Sequence, residues 1–366
     1  MRGEAVQIDM HYYGTYCLAL AAGLKPEVCK TIATASQYVD DNASSKKVNL
    51  ANGALIDVIA TAHTTVQLQN LNDDDQRLVW VPFHFLPGAQ GDSLMQKLVC
   101  VTDSPIAQQA IKYNLSWANA PFAVELVGVT AHVYADTFSH YGFSGISSPL
   151  NKVHAESIAL DENLDPEIRN YITGKAAKFF GGRFGNLVSR FGALQGAVAE
   201  RASDALGHGS VATYPDRPYL KWQFDYEEGN ASSGWRENPA TYLAGCRALH
   251  DLFRQFAALR PDLKASDGKD FDAIAERVNT ILRSQLKSDG RIQAWTDAVN
   301  EGVFDNAKGG IPAYEGDAWT KTIDGLEGKN VENLGELSPY RFHQAAEIHR
   351  THVLRVLLPA NGVHIA

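Results

Sequence analysis

The chain has 366 residues, 45% hydrophobic and 20% charged, with a formal net charge of −9. That length supports a large buried core, and an acidic chain without a Lys/Arg run argues against general nucleic-acid binding, which needs a basic stripe. None of the four cysteines stands in a C-x-x-C pair, which argues against a thiolate zinc knuckle, and four in so long a chain make no disulfide framework.

The opening MRGEAVQIDMHYYG is charged and lacks an apolar run, so no Sec-type signal is expected. The expected location is the cytoplasm, with export by a route that reads no N-terminal signal left open. No stretch reaches the length of a membrane span. Residues 12–22 predict an apolar helix stopped by Gly23. Pro26 suits a first helical turn and opens a second helix, which ends at Asp40-Asp41. Asn52-Gly53 predicts a hairpin within residues 46–63. The run LVWVPFHFLPG, residues 78–88, is aromatic and β-branched with two prolines, and predicts a short extended segment and loop rather than a helix. Ser104-Pro105 starts a helix to about residue 115. Pro121 opens another to about His140, broken by Gly142 and Gly145. Helices are expected over about 165–180 and 187–206, then a loop over 207–239, then helices near 240–259, 271–286 and 339–358. The predicted class is all-α: a single large domain over 1–366 with a small β-hairpin and long loops. Its metal-site core covers about 8–225 and a helical C-terminal part about 239–360.

The chemistry concentrates in His132-x-x-x-Asp136-x-x-x-His140. In a helix, residues four apart lie along one face. Imidazole and carboxylate are ligands for zinc, manganese or iron. The neighbours Val129, Ala131, Val133, Ala135 and Phe138 are apolar or small, so the helix is expected to be buried, and a buried Asp is costly unless paired or metal-bound. The alternative is a set of core histidines satisfied by protein hydrogen bonds. Asp40 and Asp41 end a helix at the pole that repels carboxylates, which calls for a nearby cation or for simple exposure. His84 lies among aromatics as a stiffly held ligand or a packed core residue. His11 and His208 stand at helix ends. Tyr214-Pro-Asp216-Arg-Pro218 is a rigid loop able to present a carboxylate to substrate, or equally one in which Asp216 pairs with Arg217 or caps a turn, and Tyr219, Trp222 and Tyr226 are expected to form a pocket wall. His343, His349 and His352, beside Glu347 and Arg350, read as a solvated helix face.

The ordered segments DMHYY, ASQYVDD, FHFLPG, H-x-x-x-D-x-x-x-H, LGH and YPD, over residues 8–225, resemble an uncharacterised bacterial domain-of-unknown-function family, which implies no activity. More loosely, the ligand order is similar to that of the zinc-dependent phospholipase C and S1/P1 nuclease group, all-helical enzymes with a cluster of three zinc ions. That similarity implies His11, Asp41, His84, His132, Asp136, His140 and His208 as ligands, with Asp136 the bridge. The chain departs from the group in its start, MRGEAV, in a longer interval between Asp41 and His84, and in an earlier His140. The adjacent His-Asp pair of HD-domain phosphohydrolases is missing.

The expectation is a metal-dependent hydrolase of a small-molecule or lipid phosphoester, with two or three divalent ions, zinc first and iron or manganese next. Asp136 and whichever of Asp40 and Asp41 does not bind metal would serve catalysis. The alternatives are a non-haem iron enzyme that activates oxygen and a non-catalytic effector or binding module with a structural metal. Partner proteins are not specified by any motif.

Overall fold

The computed structural model describes residues 8–63, 73–191, 206–305 and 309–365. The chain enters through a π-helical turn, Asp9–Gly14, that runs into α1 (Thr15–Ala21) and α2 (Pro26–Asp41). The hairpin follows as β1 (Lys46–Asn49) and β2 (Leu55–Val58), antiparallel with Val48 opposite Ile56. Next come α3 (Asp73–Phe83), the short α4 (Leu94–Lys97), α5 (Pro105–Leu115) and α6 (Ala123–Ser139). Strand β3 (Ala159–Leu160) precedes α7 (Pro166–Phe191), and β4 (Lys221–Gln223) and β5 (Arg236–Glu237) precede α8 (Asn238–Leu259). The chain closes with α9 (Ala275–Arg283), α10 (Ser288–Asn300), α11 (Gly316–Asp324), α12 (Ser338–His352) and a second π-helical turn, Val353–Leu357. Among the described residues no helix is long and apolar enough to cross a membrane.

The mainly helical class is as expected, and α6 is its axis. Val124 and Ala135 alone are half-buried along it; every other side chain is buried. A helix apolar on all sides belongs inside a protein, and α6 is wrapped by α2, α5, α8 and α12. The approach of α2 is close because residue 128 is glycine: a Cβ there would stand 2.5 Å from both the Ile32 carbonyl oxygen and the Ala35 Cβ. One apolar core runs from Met10 to Val363, so the helices after residue 238 share it with those that carry the histidines. A second core, with Phe85, Phe143, Trp222 and Phe224, lies under the β3-β4-β5 sheet. The segment after α3 straddles the two: Phe83 and Leu86 enter the first, Phe85 the second, with His84 between.

Three expectations need correction. Residues 78–83 are helical, the end of α3, not an extended segment. Pro82 stands in the last turn, and burial of Val79, Val81 and Phe83 outweighs their β preference. Residues 207–239 are not wholly loop, because β4 and β5 pair there, β4 with β3 from about sixty residues earlier. The helix expected to end near residue 180 continues to Phe191. Most of the helix expected over 187–206, and the first seven residues, lie outside the described residues.

Candidate metal centre

Five imidazoles and three carboxylates gather where α2, α6, the end of α3, the first π-helical turn and the 208–216 loop meet. They form three overlapping donor groups: His11, Asp40 and His132; His84, His132 and Asp136; His140, His208 and Asp216. Asp136 is the hub. Its Oδ1 lies 3.3 Å from His11 Nε2. Its Oδ2 lies 3.3 Å from His84 Nδ1, 3.3 Å from His132 Nε2 and 3.4 Å from His140 Nδ1. Asp40 Oδ1 is 3.7 Å from His84 Nδ1 and 3.8 Å from His132 Nε2. Asp216 Oδ1 is 3.2 Å from His140 Nε2 and 3.7 Å from His208 Nε2.

Local structure fixes each donor. The π-helical turn, a form concentrated at functional sites, lays the His11 ring on that of His132 with centroids 4.1 Å apart. It is anchored by Arg291 of α10, whose Nε and Nη2 donate to Asp9 at 2.7 and 2.9 Å. Residue 207 takes φ +56, and a Cβ there would be 2.5 Å from the Phe85 ring, so glycine brings His208 against that ring.

The outer nitrogens settle the tautomers. Carbonyl oxygens only accept, so His84 Nε2 carries the proton it donates to Thr61 O at 2.8 Å, His140 Nδ1 donates to His84 O at 2.9 Å, and His208 Nδ1 donates to Ala212 O at 2.7 Å. Neutral rings then aim lone pairs inward: His84 Nδ1 at Asp136 and Asp40, His140 Nε2 and His208 Nε2 at Asp216. Outer hydrogen bonds of this kind orient metal-binding histidines. Lone pairs facing carboxylate oxygens repel unless a cation stands between them. Where this molecule makes a direct buried ion pair, Arg291 with Asp9, the atoms close to 2.7–2.9 Å. The donors here stay at 3.2–3.8 Å. Ligands about 2.0–2.2 Å from a tetrahedral zinc stand roughly 3.3–3.5 Å from one another. The residues therefore fit a divalent cation. The Nδ1 atoms of His11 and His132 are buried and make no hydrogen bond.

The electrostatics agree. Burial alone would raise Asp136, yet the His140 and His132 charges hold it well below the ordinary range. Burial would lower His140, but Asp136 and Asp216 drive it up to about 9. The pocket thus attracts positive charge, and a proton is the other cation able to take it. Burial lowers His132 to about 3, with His11 adding to the effect. Burial lifts Asp40 to about 7, against the pull of His11 and His84. Asp40 is 23% and His208 19% exposed, against 0–3% for His84, His132 and Asp136, so the centre meets solvent at Asp40 and at His208.

Several expected roles move. His11, His84, His132, Asp136, His140 and His208 converge, but the carboxylate from the end of α2 is Asp40. Asp41 instead accepts a hydrogen bond from Tyr314 at 2.6 Å. Asp216, expected to face substrate, belongs to the donor set. Tyr219 and Trp222 form no pocket wall: both are buried, Trp222 donating Nε1–H to Asn238 at 3.1 Å under the sheet, and Tyr219 lying below Arg291. His343 and His349 are buried rather than solvated. Tyr314, at the rim beside Asp41, carries no sequence signal beyond an aromatic in a Gly/Pro-rich stretch.

A model for a family of unknown function (DUF6765) matches residues 6–357, and the chain belongs to that family. No curated protein and no solved structure matches it.

Proposed function

We propose that this member of the family is a metal-dependent hydrolase of phosphoesters, with zinc the first candidate ion. His11, Asp40, His84, His132 and Asp136 would hold one ion and His140, His208 and Asp216 a second. The observation that carries the reading is the set of inward lone pairs of His84, His140 and His208 facing the Asp40, Asp136 and Asp216 carboxylates at 3.2–3.7 Å. A pair of divalent ions supplies a water acidified toward neutrality and a clamp on phosphoryl oxygens. More donors than one closed structural site needs favour catalysis over a purely structural role.

The chain's own groups divide the remaining work. Asp40, the most exposed of the eight donors, stands at the open side, where substrate would enter. The Tyr314 hydroxyl donates its proton to Asp41 at the same rim and leaves its oxygen as an acceptor. Phe85, stacked on His140 at 4.8 Å, packs an apolar ring against that side of the centre.

The test is elemental analysis of the purified chain, then assay of the zinc-loaded protein on phosphomonoesters, phosphodiesters and phospholipids beside Asp136→Asn. Hydrolysis lost in the variant supports the reading. Zinc-loaded protein without hydrolysis rejects it, and iron with a visible absorption band would move the chemistry to oxygen activation.

A further inference from the structure

His349, in the last turn of α12, is not among the donors named above, yet one of its two hydrogen bonds ends on the segment that presents His84. Helix α3 stops at Phe83, and the N–H groups of His84 and Phe85 both return to Trp80 O, at 3.1 and 2.9 Å. The Pro82 carbonyl belongs to that last turn, where carbonyls have no intrahelical donor. It accepts from His349 Nε2 at 2.9 Å. The tautomer is set from the other side: Asn114 Nδ2 donates to His349 Nδ1 at 3.0 Å. The same amide donates to Thr130 Oγ1 at 2.8 Å, on α6 two residues before His132. Thr130 returns its proton to Leu126 O at 2.6 Å, so its oxygen is free to accept from the amide. The imidazole is 1% exposed, with the Phe83 ring 5.7 Å away.

We infer that His349 is a positioning residue for the His84 ligand, acting as a side-chain cap on the end of α3 and tying it through Asn114 to α5 and α6. Two contacts already hold the His84 residue, its Nε2–H on Thr61 O and its carbonyl under His140 Nδ1–H. Those fix the ring and one carbonyl. The His349 bond fixes the main chain two residues upstream, from which the ring hangs. Without it the Pro82 carbonyl is left buried and unpaired, and α3 can satisfy it only by shifting its final turn, which carries His84 with it. The C-terminal part of the chain thereby takes part in ligand geometry without supplying a ligand. This inference rests on the metal reading above.

The experiment uses the full chain, stripped with chelator and titrated with Co(II) against a chromophoric competitor, with the visible d–d spectrum recorded at saturation. The proteins are wild type, His349→Leu, His349→Gln and Asn114→Leu. Glutamine keeps an N–H where His349 Nε2 stands; leucine does not. Supporting-shell losses weaken metal sites about 10- to 100-fold, so H349L is expected to bind Co(II) about tenfold more weakly with an altered spectrum, while H349Q stays near wild type. Wild-type affinity and spectrum in H349L overturn the inference alone. A wild-type chain that binds no Co(II) overturns the metal reading and this inference with it. Where H349L does not fold, N114L decides: weakened Co(II) binding supports the inference, unchanged binding overturns it.

Discussion

Substituting Gly128 by alanine tests how closely the packing of two helices controls the candidate metal centre. Gly128 lies one turn before His132 on α6, and Ile32 and Ser36 lie two turns and one turn before Asp40 on α2. An added Cβ would meet the Ile32 carbonyl oxygen and the Ala35 Cβ at 2.5 Å and the Ser36 nitrogen at 3.2 Å. Two of these three are backbone atoms that no rotamer change can move, so α2 and α6 must part by about 1 Å to reach ordinary contact. Overpacking of this kind costs about 1–3 kcal/mol. Alanine recovers about 0.8–1 kcal/mol of helix propensity over glycine, leaving a net loss of roughly 0–2 kcal/mol. The functional effect is larger in proportion, because the same parting acts on the 3.8 Å His132–Asp40 spacing, whereas metal sites hold ligand distances to about 0.2 Å. Zinc affinity is expected to fall about tenfold or more. Gly174→Ala, at an α7 position where a Cβ meets nothing within 4 Å, is the control and should be neutral or stabilising. The measurements are urea unfolding and competitive zinc titration of wild type, G128A and G174A. A G128A protein as stable as G174A, with wild-type zinc affinity, would refute the reasoning.

Further outcomes follow from the same geometry. Asp40→Asn should cut zinc affinity at least about tenfold, whereas Asp41→Asn should leave zinc stoichiometry intact and shift only substrate KM; zinc loss in D41N with D40N unaffected would reverse the assignment. Arg291→Leu leaves Asp9 buried without its partner beside the turn that carries His11, and should cost about 3–5 kcal/mol by urea unfolding; a cost below about 1 kcal/mol would show that the pair does not anchor that turn. Burial lowers His349 to about 4 from 6.5, so the stability it contributes as a neutral group is fully present above pH 6.5 and is lost as pH falls toward 4. At 1.36 kcal/mol per pKa unit the gap amounts to roughly 3 kcal/mol. His349→Gln should therefore lose less stability than wild type between pH 7 and pH 4.5, and parallel pH profiles would exclude the neutral tautomer. Tryptophan-to-phenylalanine change at residue 222 should lower stability through the Asn238 bond without altering KM, since the ring has no access to solvent.

Where local punctuation is strong, the chain is legible without coordinates. Pro26, Ser104-Pro105 and Asn52-Gly53 locate α2, α5 and the hairpin to within a residue or two. Spacing of four residues correctly brings His132 and Asp136 to one face, but His140 is the residue that ends α6. It leaves the helical path with φ −93 and ψ 4, and its Nε2 turns to Asp216. Choosing between Asp40 and Asp41 was beyond periodicity, because Ser36 and Gln37, one turn back from each, are both fully buried. Trp222 was misread because its burial depends on β3, a pairing partner about sixty residues away that leaves no local mark. His349 had a usable signal: Phe342, Ala345, Ala346, His349 and Val353 recur at helical spacing as one buried stripe. The charges of Glu347, on the exposed side, and Arg350, on the flank of the stripe, obscure it.

The cap on α3 also imposes an order on biosynthesis. Every donor lies at or before residue 216, while the imidazole that steadies His84 lies at residue 349. A nascent chain that has already delivered all eight donors from the ribosome still lacks the contact that aligns one of them. A product cut short before residue 349 would keep all eight donor residues and lack the contact that steadies His84.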